Sequence, residues 1–171
     1  MTYRKTTNIQ SGFTIVELLI VIVVIGILAA ITIVAYSGVQ GRARNTQVLT
    51  GVSAYQKAFI QYATVNSAYP VGSGCLGANY PGNQCWSGDS GTWNVNATLD
   101  GYIAPFIGSK PTLATSLLSI SIGNNVRAGA LYISSPSRFI YYLQRPAACL
   151  DGTTGNVEGG MLQCVLNLPT L

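Results

Sequence analysis

Histidine is missing from this chain, and charge of either sign is scarce. Charged residues fill only 8 % of its 171 positions, where soluble domains ordinarily carry about a quarter. Without histidine there is no ordinary base at neutral pH, no Ser–His–Asp arrangement, and none of the commonest metal ligand. The acidic residues Glu17, Asp89, Asp100, Asp151 and Glu158 are scattered, and no readable motif pairs two of them for acid–base work. Nothing in the sequence asks for a metal or a cofactor, and nothing in it looks catalytic. The net charge of +4, part of it from Arg4 and Lys5 near the start, is too weak to imply nucleic acid.

Cysteine is limited to Cys75, Cys85, Cys149 and Cys164. None of them stands in a C-x-x-C spacing, which argues against a zinc site. An even number fits two disulfides made in an oxidising compartment. Of the three possible connectivities the sequence-local one is favoured, Cys75 with Cys85 and Cys149 with Cys164, because each pair brackets a Gly-rich loop. Closing a loop of the second kind stabilises by about 3 kcal/mol in the chain-entropy model.

What is abundant is apolar surface, 49 % of the residues, and it is unevenly placed. Residues 18–31 hold no polar side chain, whereas the remainder is rich in Gly, Ser, Thr, Asn and Tyr, as exported proteins are. Over residues 13–35 the only charge is Glu17. As a helix this segment is about 34 Å long, enough to cross the hydrocarbon core of a bilayer. A helix apolar on every side must be buried in lipid or in protein.

The helical pattern continues. Val48, Val52, Tyr55, Phe59 and Tyr62 recur at spacings of four and three, with Gln47, Gln56, Lys57 and Gln61 off the stripe. No proline interrupts the chain from Phe13 to Tyr69, although Gly38, Gly41 and Gly51 soften it. One helix over residues 13–65 is therefore expected, ended by Asn66-Ser67 and Tyr69-Pro70. The chain then reads as loop-rich to about residue 112. Residues 126–134, 138–144 and 161–166 read as strands, with Phe139, Tyr141 and Leu143 alternating against Arg138, Tyr142 and Gln144. Ser134-Ser135-Pro136-Ser137 reads as a hairpin turn, and residues 113–122 fit helix or strand equally. The fold class is α+β: a long N-terminal helix whose amphipathic half packs on a small antiparallel sheet.

Glu17 is costly near the middle of a bilayer and less so near a helix end. Three readings of it are open: a simple anchor with its glutamate among headgroups, a signal peptide cleaved at Ala35-Tyr36-Ser37, or a functional carboxylate. The string Gly12-Phe13-Thr14-Ile15-Val16-Glu17-Leu18-Leu19-Ile20-Val21, with Ile25-Gly26-Ile27-Leu28-Ala29-Ala30-Ile31 and Ala35-Tyr36 beyond it, strongly resembles the type IV pilins and the related pseudopilins. The resemblance covers about twenty-five residues and reaches the head only in general outline.

It implies that a membrane prepilin peptidase cuts between Gly12 and Phe13 and that Phe13 is then N-methylated. Residues 1–12 become a leader held on the cytoplasmic side by Arg4 and Lys5. Residues 13–35 become the transmembrane and filament-core helix, 36–65 its amphipathic continuation, and 66–171 the head, which lies outside the cytoplasmic membrane. It further implies that Glu17 pairs with the new amine of a neighbouring subunit, fixing axial register. The implied partners are copies of the chain in a helical filament, prepilin peptidase, and an assembly platform with its ATPase; DNA is an open possibility. The assembled form is a cell-surface pilus or a periplasmic pseudopilus. Gly26 and Ala30 form a small-x-x-x-small pair that permits close helix approach. Many family members carry proline where this chain has Val34, so no proline kink is expected.

The remaining motifs read as structure. Gly72-Ser73-Gly74-Cys75-Leu76-Gly77 matches G-x-G-x-x-G, but without a strand-turn-helix setting it reads as a flexible loop. Arg42 and Arg44 read as solvated helix charges, with lipid headgroups or DNA as the alternative. Asp151, Asn156 and Glu158 sit in a Gly-rich stretch but match no EF-hand spacing for Ca²⁺. Asn96-Ala97-Thr98 is a glycosylation sequon by pattern alone. Tyrosines such as Tyr55 and Tyr62 read as helix–sheet packing. A protein released after Ser37 as a secreted binding protein or hydrolase is the reading furthest from a pilin.

Overall fold

The computed structural model describes residues 13–89, 91–113, 118–119, 125–150 and 155–171. The leader with Gly12, the residue Asp151 and most of 113–122 lie outside them. The chain separates into two compact units, Met1–Val39 and Gln40–Leu171. Helix α1, Ile15–Asn66, contributes to both and matches the expected helix within two residues at its start and one at its end. It stops where Ser67 takes a positive φ of 56°, just ahead of Tyr69-Pro70.

In the first unit the described chain is helix from Ile15, and each large apolar side chain described there is exposed, Ile22 by 63 % and Ile25 by 59 %. Soluble monomers rarely expose apolar surface on this scale. Thr32 spends its hydroxyl on the Ala29 carbonyl one turn back, at 3.0 Å, so it adds no unpaired donor to that surface.

The second unit is α+β. After α1 come β1 (Gly74–Leu76), β2 (Gln84–Ser87), β3 (Trp93–Asn94), α2 (Ala97–Ile107), β4 (Leu118–Ser119), β5 (Val126–Arg127), β6 (Ala130–Ser134), β7 (Ser137–Gln144), β8 (Val157–Glu158) and β9 (Met161–Asn167). They form two antiparallel sheets, ordered β1-β6-β7-β9-β8 and β3-β2-β5-β4. The β6–β7 hairpin turns at Ser135-Pro136 with Ser134 opposite Ser137, as the sequence suggests.

Two expectations need correction. Residues 126–134 are not one strand: Gly129, at φ +60°, bends the chain from the second sheet into the first. A Cβ there would fall 2.0 Å from the Tyr80 hydroxyl. The stretch from 70 to 112 is not mainly loop either. Asn96 starts α2 by accepting from the Thr98 and Leu99 amides at 3.0 and 3.2 Å, an N-cap of the usual kind. The helix then buries Leu99 and Ile103, one turn apart; Gly101 and Pro105 hide that pattern in the sequence.

The stripe on α1 is the core. Val48, Val52, Tyr55 and Phe59 are at most 2 % exposed, and Tyr62 is half-buried against Tyr102 and Phe106 of α2. Phe59 meets Tyr132 of β6 at 4.6 Å and Phe139 of β7 at 4.9 Å, both edge-on. Such pairs add about 0.5–1.5 kcal/mol each beyond area burial. Asn45 ties the helix to the end of β7: its Nδ2 donates to the Gln144 carbonyl at 2.7 Å and its Oδ1 accepts the Gln144 amide at 2.8 Å. Gly51 is there for room, since a Cβ on it would strike Leu113 Cδ2 at 2.0 Å.

Tyrosine hydroxyls latch main-chain groups to this core. Tyr55 accepts the Gly77 amide at 2.9 Å, Tyr80 donates to the Leu76 carbonyl, and Tyr132 donates to the Pro70 carbonyl at 2.8 Å. Burial pushes the pKa of Tyr55 and of Tyr80 well above the ordinary tyrosine value.

Phe59→Ala is expected to cost about 3–5 kcal/mol, measured as a lower denaturant midpoint of the full chain in detergent, while Val65→Ala on the exposed side leaves it unchanged. Tyr55 and Tyr80 stay protonated in the native state when the unfolded chain has begun to ionise. Stability is therefore full below about pH 10 and falls as pH rises above it. An absorbance titration should show their ionisation only together with alkaline unfolding.

Candidate functional site

Near the start of the described chain two residues, Thr14 and Glu17, cap α1. Thr14-Ile15-Val16-Glu17 forms a reciprocal box: the Thr14 amide and hydroxyl both donate to Glu17 Oε2 at 2.8 Å, and the Glu17 amide donates to the Thr14 hydroxyl at 3.2 Å. Two amides that a helix start leaves without partners are thus satisfied, and a negative charge sits at the positive end of the helix dipole. Glu17 has no cation among the described residues. Phe13, immediately ahead of the box, is 85 % exposed.

Sequence reasoning singled out Glu17 for its misplaced charge and passed over Thr14. The T-x-x-E spacing ahead of an apolar run was the available signal. Gly26 and Ala30 lie one turn apart on the same exposed face of α1, and a Cβ on Gly26 would have nothing within 4 Å. Beyond them the helix runs unbroken past Val34 and through Ala35-Tyr36-Ser37.

In the second unit the cysteines pair as Cys75–Cys85 and Cys149–Cys164. The G-x-G-x-x-G stretch is neither a phosphate cradle nor a flexible loop. Gly74–Leu76 is strand β1, paired with β6, and its glycines make room: a Cβ on Gly74 would lie 2.6 Å from Asn96 Cβ. The Asn96 side chain of the sequon is occupied as the cap of α2, and its Nδ2 donates to the Ser73 carbonyl at 3.2 Å.

Glu158 is not free for Ca²⁺, because its carboxylate is held by Arg127. Among the described residues no three His, Cys, Asp or Glu side chains gather as a metal site. Arg127 itself joins the two sheets. It stacks 3.9 Å from the Trp86 ring on β2 and donates to the Tyr142 hydroxyl on β7 at 2.8 Å, which also accepts from Gln163 of β9 at 2.6 Å. This cluster is a joint in which the Arg127 charge is answered by Glu158, while Arg127 Nε and Trp86 Nε1 are buried without a hydrogen-bond partner among the described residues.

Comparison with known proteins gives partial matches. Residues 7–33 match the family described as the prokaryotic N-terminal methylation motif. The chain is similar to the type II secretion system core protein G of Klebsiella michiganensis, 36 % identical over 62 residues, which is 36 % of this chain and 44 % of that protein. It is likewise similar to the type IV major alpha-pilin of Moraxella bovis, 42 % identical over 64 residues, 37 % of this chain and 40 % of that one. A type IV major pilin protein of Neisseria gonorrhoeae is 32 % identical over 74 residues, 43 % and 45 % of the two chains. The chain spans less than half the length of these curated relatives. No solved structure matches it.

Thr14→Val removes one hydroxyl that both donates and accepts in the box. Amide exchange at residues 15–18 in micelles is expected to quicken severalfold, with exchange near Phe59 unchanged.

Proposed function

We propose that this chain is a structural subunit of a type IV-like pilus, serving adhesion, twitching motility or DNA uptake. It is cut between Gly12 and Phe13 by a prepilin peptidase, N-methylated on Phe13, and built into a helical filament of its own copies. The observation that carries the proposal is the exposed apolar helix of the first unit, whose one charge among the described residues is Glu17, leading into a disulfide-closed α+β unit.

That apolar surface needs lipid or other protein around it. Both environments are dry, so moving the helix from a bilayer into a bundle of like helices changes little in its hydrophobic free energy. Glu17 supplies the difference. Among the described residues its carboxylate has only the Thr14 hydrogen bonds, all on Oε2. Cleavage after Gly12 frees the Phe13 amine, and the amine of a neighbouring copy gives Glu17 a cation that lipid does not. An ion pair between dry helices also fixes axial register. Gly26 and Ala30 let two helices approach closely on one face. Residues 13–35 then serve first as a single membrane anchor with the head outside and later as filament core. An assembly platform and its ATPase drive the transfer.

A second reading, a minor pilin or a pseudopilin of a type II secretion or competence system, has an observation in its favour: core protein G relatives, 36 and 34 % identical over 62 and 67 residues, match the chain alongside the pilins. In that case the product is a short periplasmic piston. Release as a secreted protein after Ser37 is disfavoured, since the cut would fall inside the continuous α1.

Mass spectrometry of sheared surface material should find a chain beginning at methylated Phe13; a chain beginning at Gly38 overturns the proposal. Glu17→Ala is expected to leave processed subunits in the membrane and reduce fibres at least tenfold in micrographs. Long fibres composed mainly of this chain distinguish the pilus from the pseudopilus.

A further inference from the structure

Among the described residues of the second unit five cations have no ion pair, Arg42, Arg44, Lys57, Arg138 and Arg145, and three of them, Arg42, Arg44 and Arg145, come together. Arg42 and Arg145 are exposed and Arg44 is partly so. None of the three has a carboxylate partner among the described residues. They are far apart in sequence but not in the fold. The paired hydrogen bonds from Asn45 to the Gln144 main chain set Arg145, the next residue, beside the helical turn that carries Arg42 and Arg44. The Gln144 side chain lies over Gly41, where an added Cβ would come within 3.0 Å of its Oε1. Residues 41–45 and the end of β7 are therefore in contact.

Among the described residues two of the head's carboxylates, Glu158 and Asp100, are committed elsewhere. Glu158 pairs with Met161, which itself pairs with Gln144 across the neighbouring strand, but its carboxylate is held by Arg127. Asp100 is held by Lys110 at 2.6 Å.

The cluster also has a definite place along the chain. Arg42 follows Ala35 by seven residues, about 10 Å at the helical rise, within a headgroup layer and the reach of an arginine side chain. Tyr36, 65 % exposed, occupies the step between, as interfacial aromatics do. Guanidiniums match phosphate oxygens in bidentate geometry, and basic residues beside a membrane anchor gain about fivefold in affinity each for an anionic surface.

We propose that Arg42, Arg44 and Arg145 form a binding surface for the phosphates of anionic phospholipid headgroups while the subunit waits in the membrane. The inference rests on the membrane-anchored reading of residues 13–35. It makes lipid charge, and not bilayer thickness alone, part of what holds the unassembled subunit.

The test is native mass spectrometry of the full chain released from mixed micelles holding equal phosphatidylglycerol and phosphatidylcholine. The expected result is preferential retention of phosphatidylglycerol, falling about fivefold for each of Arg42→Gln, Arg44→Gln and Arg145→Gln and vanishing in the triple variant. Unchanged circular dichroism and intact disulfides in that variant rule out misfolding as the cause. Equal retention of the two lipids by the unaltered chain overturns the proposal and leaves the anchor standing, and so does undiminished preference in the triple variant. Duplex DNA displacing phosphatidylglycerol from the unaltered chain at equal phosphate overturns it in favour of nucleic acid. A chain that stays dispersed in buffer with no detergent or lipid overturns the anchor itself, and this proposal with it.

Discussion

Phe59 stands edge-on between Tyr132 and Phe139, and the second unit is organised around that contact. It presses the amphipathic part of α1 onto the two central strands of the larger sheet. The remaining stripe residues, Val48, Val52 and Tyr55, then fall into line at helical spacing. Asn45 ties the helix to the end of β7, and the hydroxyls of Tyr55 and Tyr80 secure the strand segment at residues 74–77. The second sheet is fastened to the first by Arg127, whose charge is answered by Glu158 and whose plane lies on Trp86. Apolar contact gives the unit its stability, and a few directional groups decide which surfaces meet.

The same helix faces the opposite problem in the first unit, where a wholly apolar surface has no protein to cover it. Charge is scarce over residues 13–39 because a helix of this kind tolerates almost none. The one exception is placed at the helix start, where the dipole and Thr14 make it least costly. In the proposed cycle this arrangement separates two tasks. Thr14 keeps Glu17 folded back and hydrogen-bonded before assembly, and a neighbour's amine supplies the counter-charge afterwards.

Local regularities were legible in the sequence, and long-range ones were not. The extent of α1, its buried stripe, the β6–β7 hairpin and the short-range cysteine pairing all follow from spacings of a few residues. Asn45 looks like any polar helix residue, because its partner is 99 positions away. The break at Gly129 depends on Tyr80, and Gly51 looks like a weakness until Leu113 is seen against it. Helix α2 was hidden by its own glycine and proline, although Asn96 and the Leu99–Ile103 spacing announced it. At the candidate site the position of Glu17 was readable from its surroundings, and the cap from Thr14 was readable from T-x-x-E but masked by the oddity of the charge. Glu158 invited a metal reading because Arg127 lies on another strand of another sheet.

Both disulfides close short loops, 10 and 15 residues apart in sequence, and neither reaches α1. A pull applied along the helix is therefore opposed by no covalent crosslink. Its load falls on the aromatic wedge at Phe59, the two bonds from Asn45 and the tyrosine latches, all of which shear together. The stapled loops keep their shape under a force that would peel the helix away. The mechanical weak point of the second unit is thus the seam between its helix and its strands.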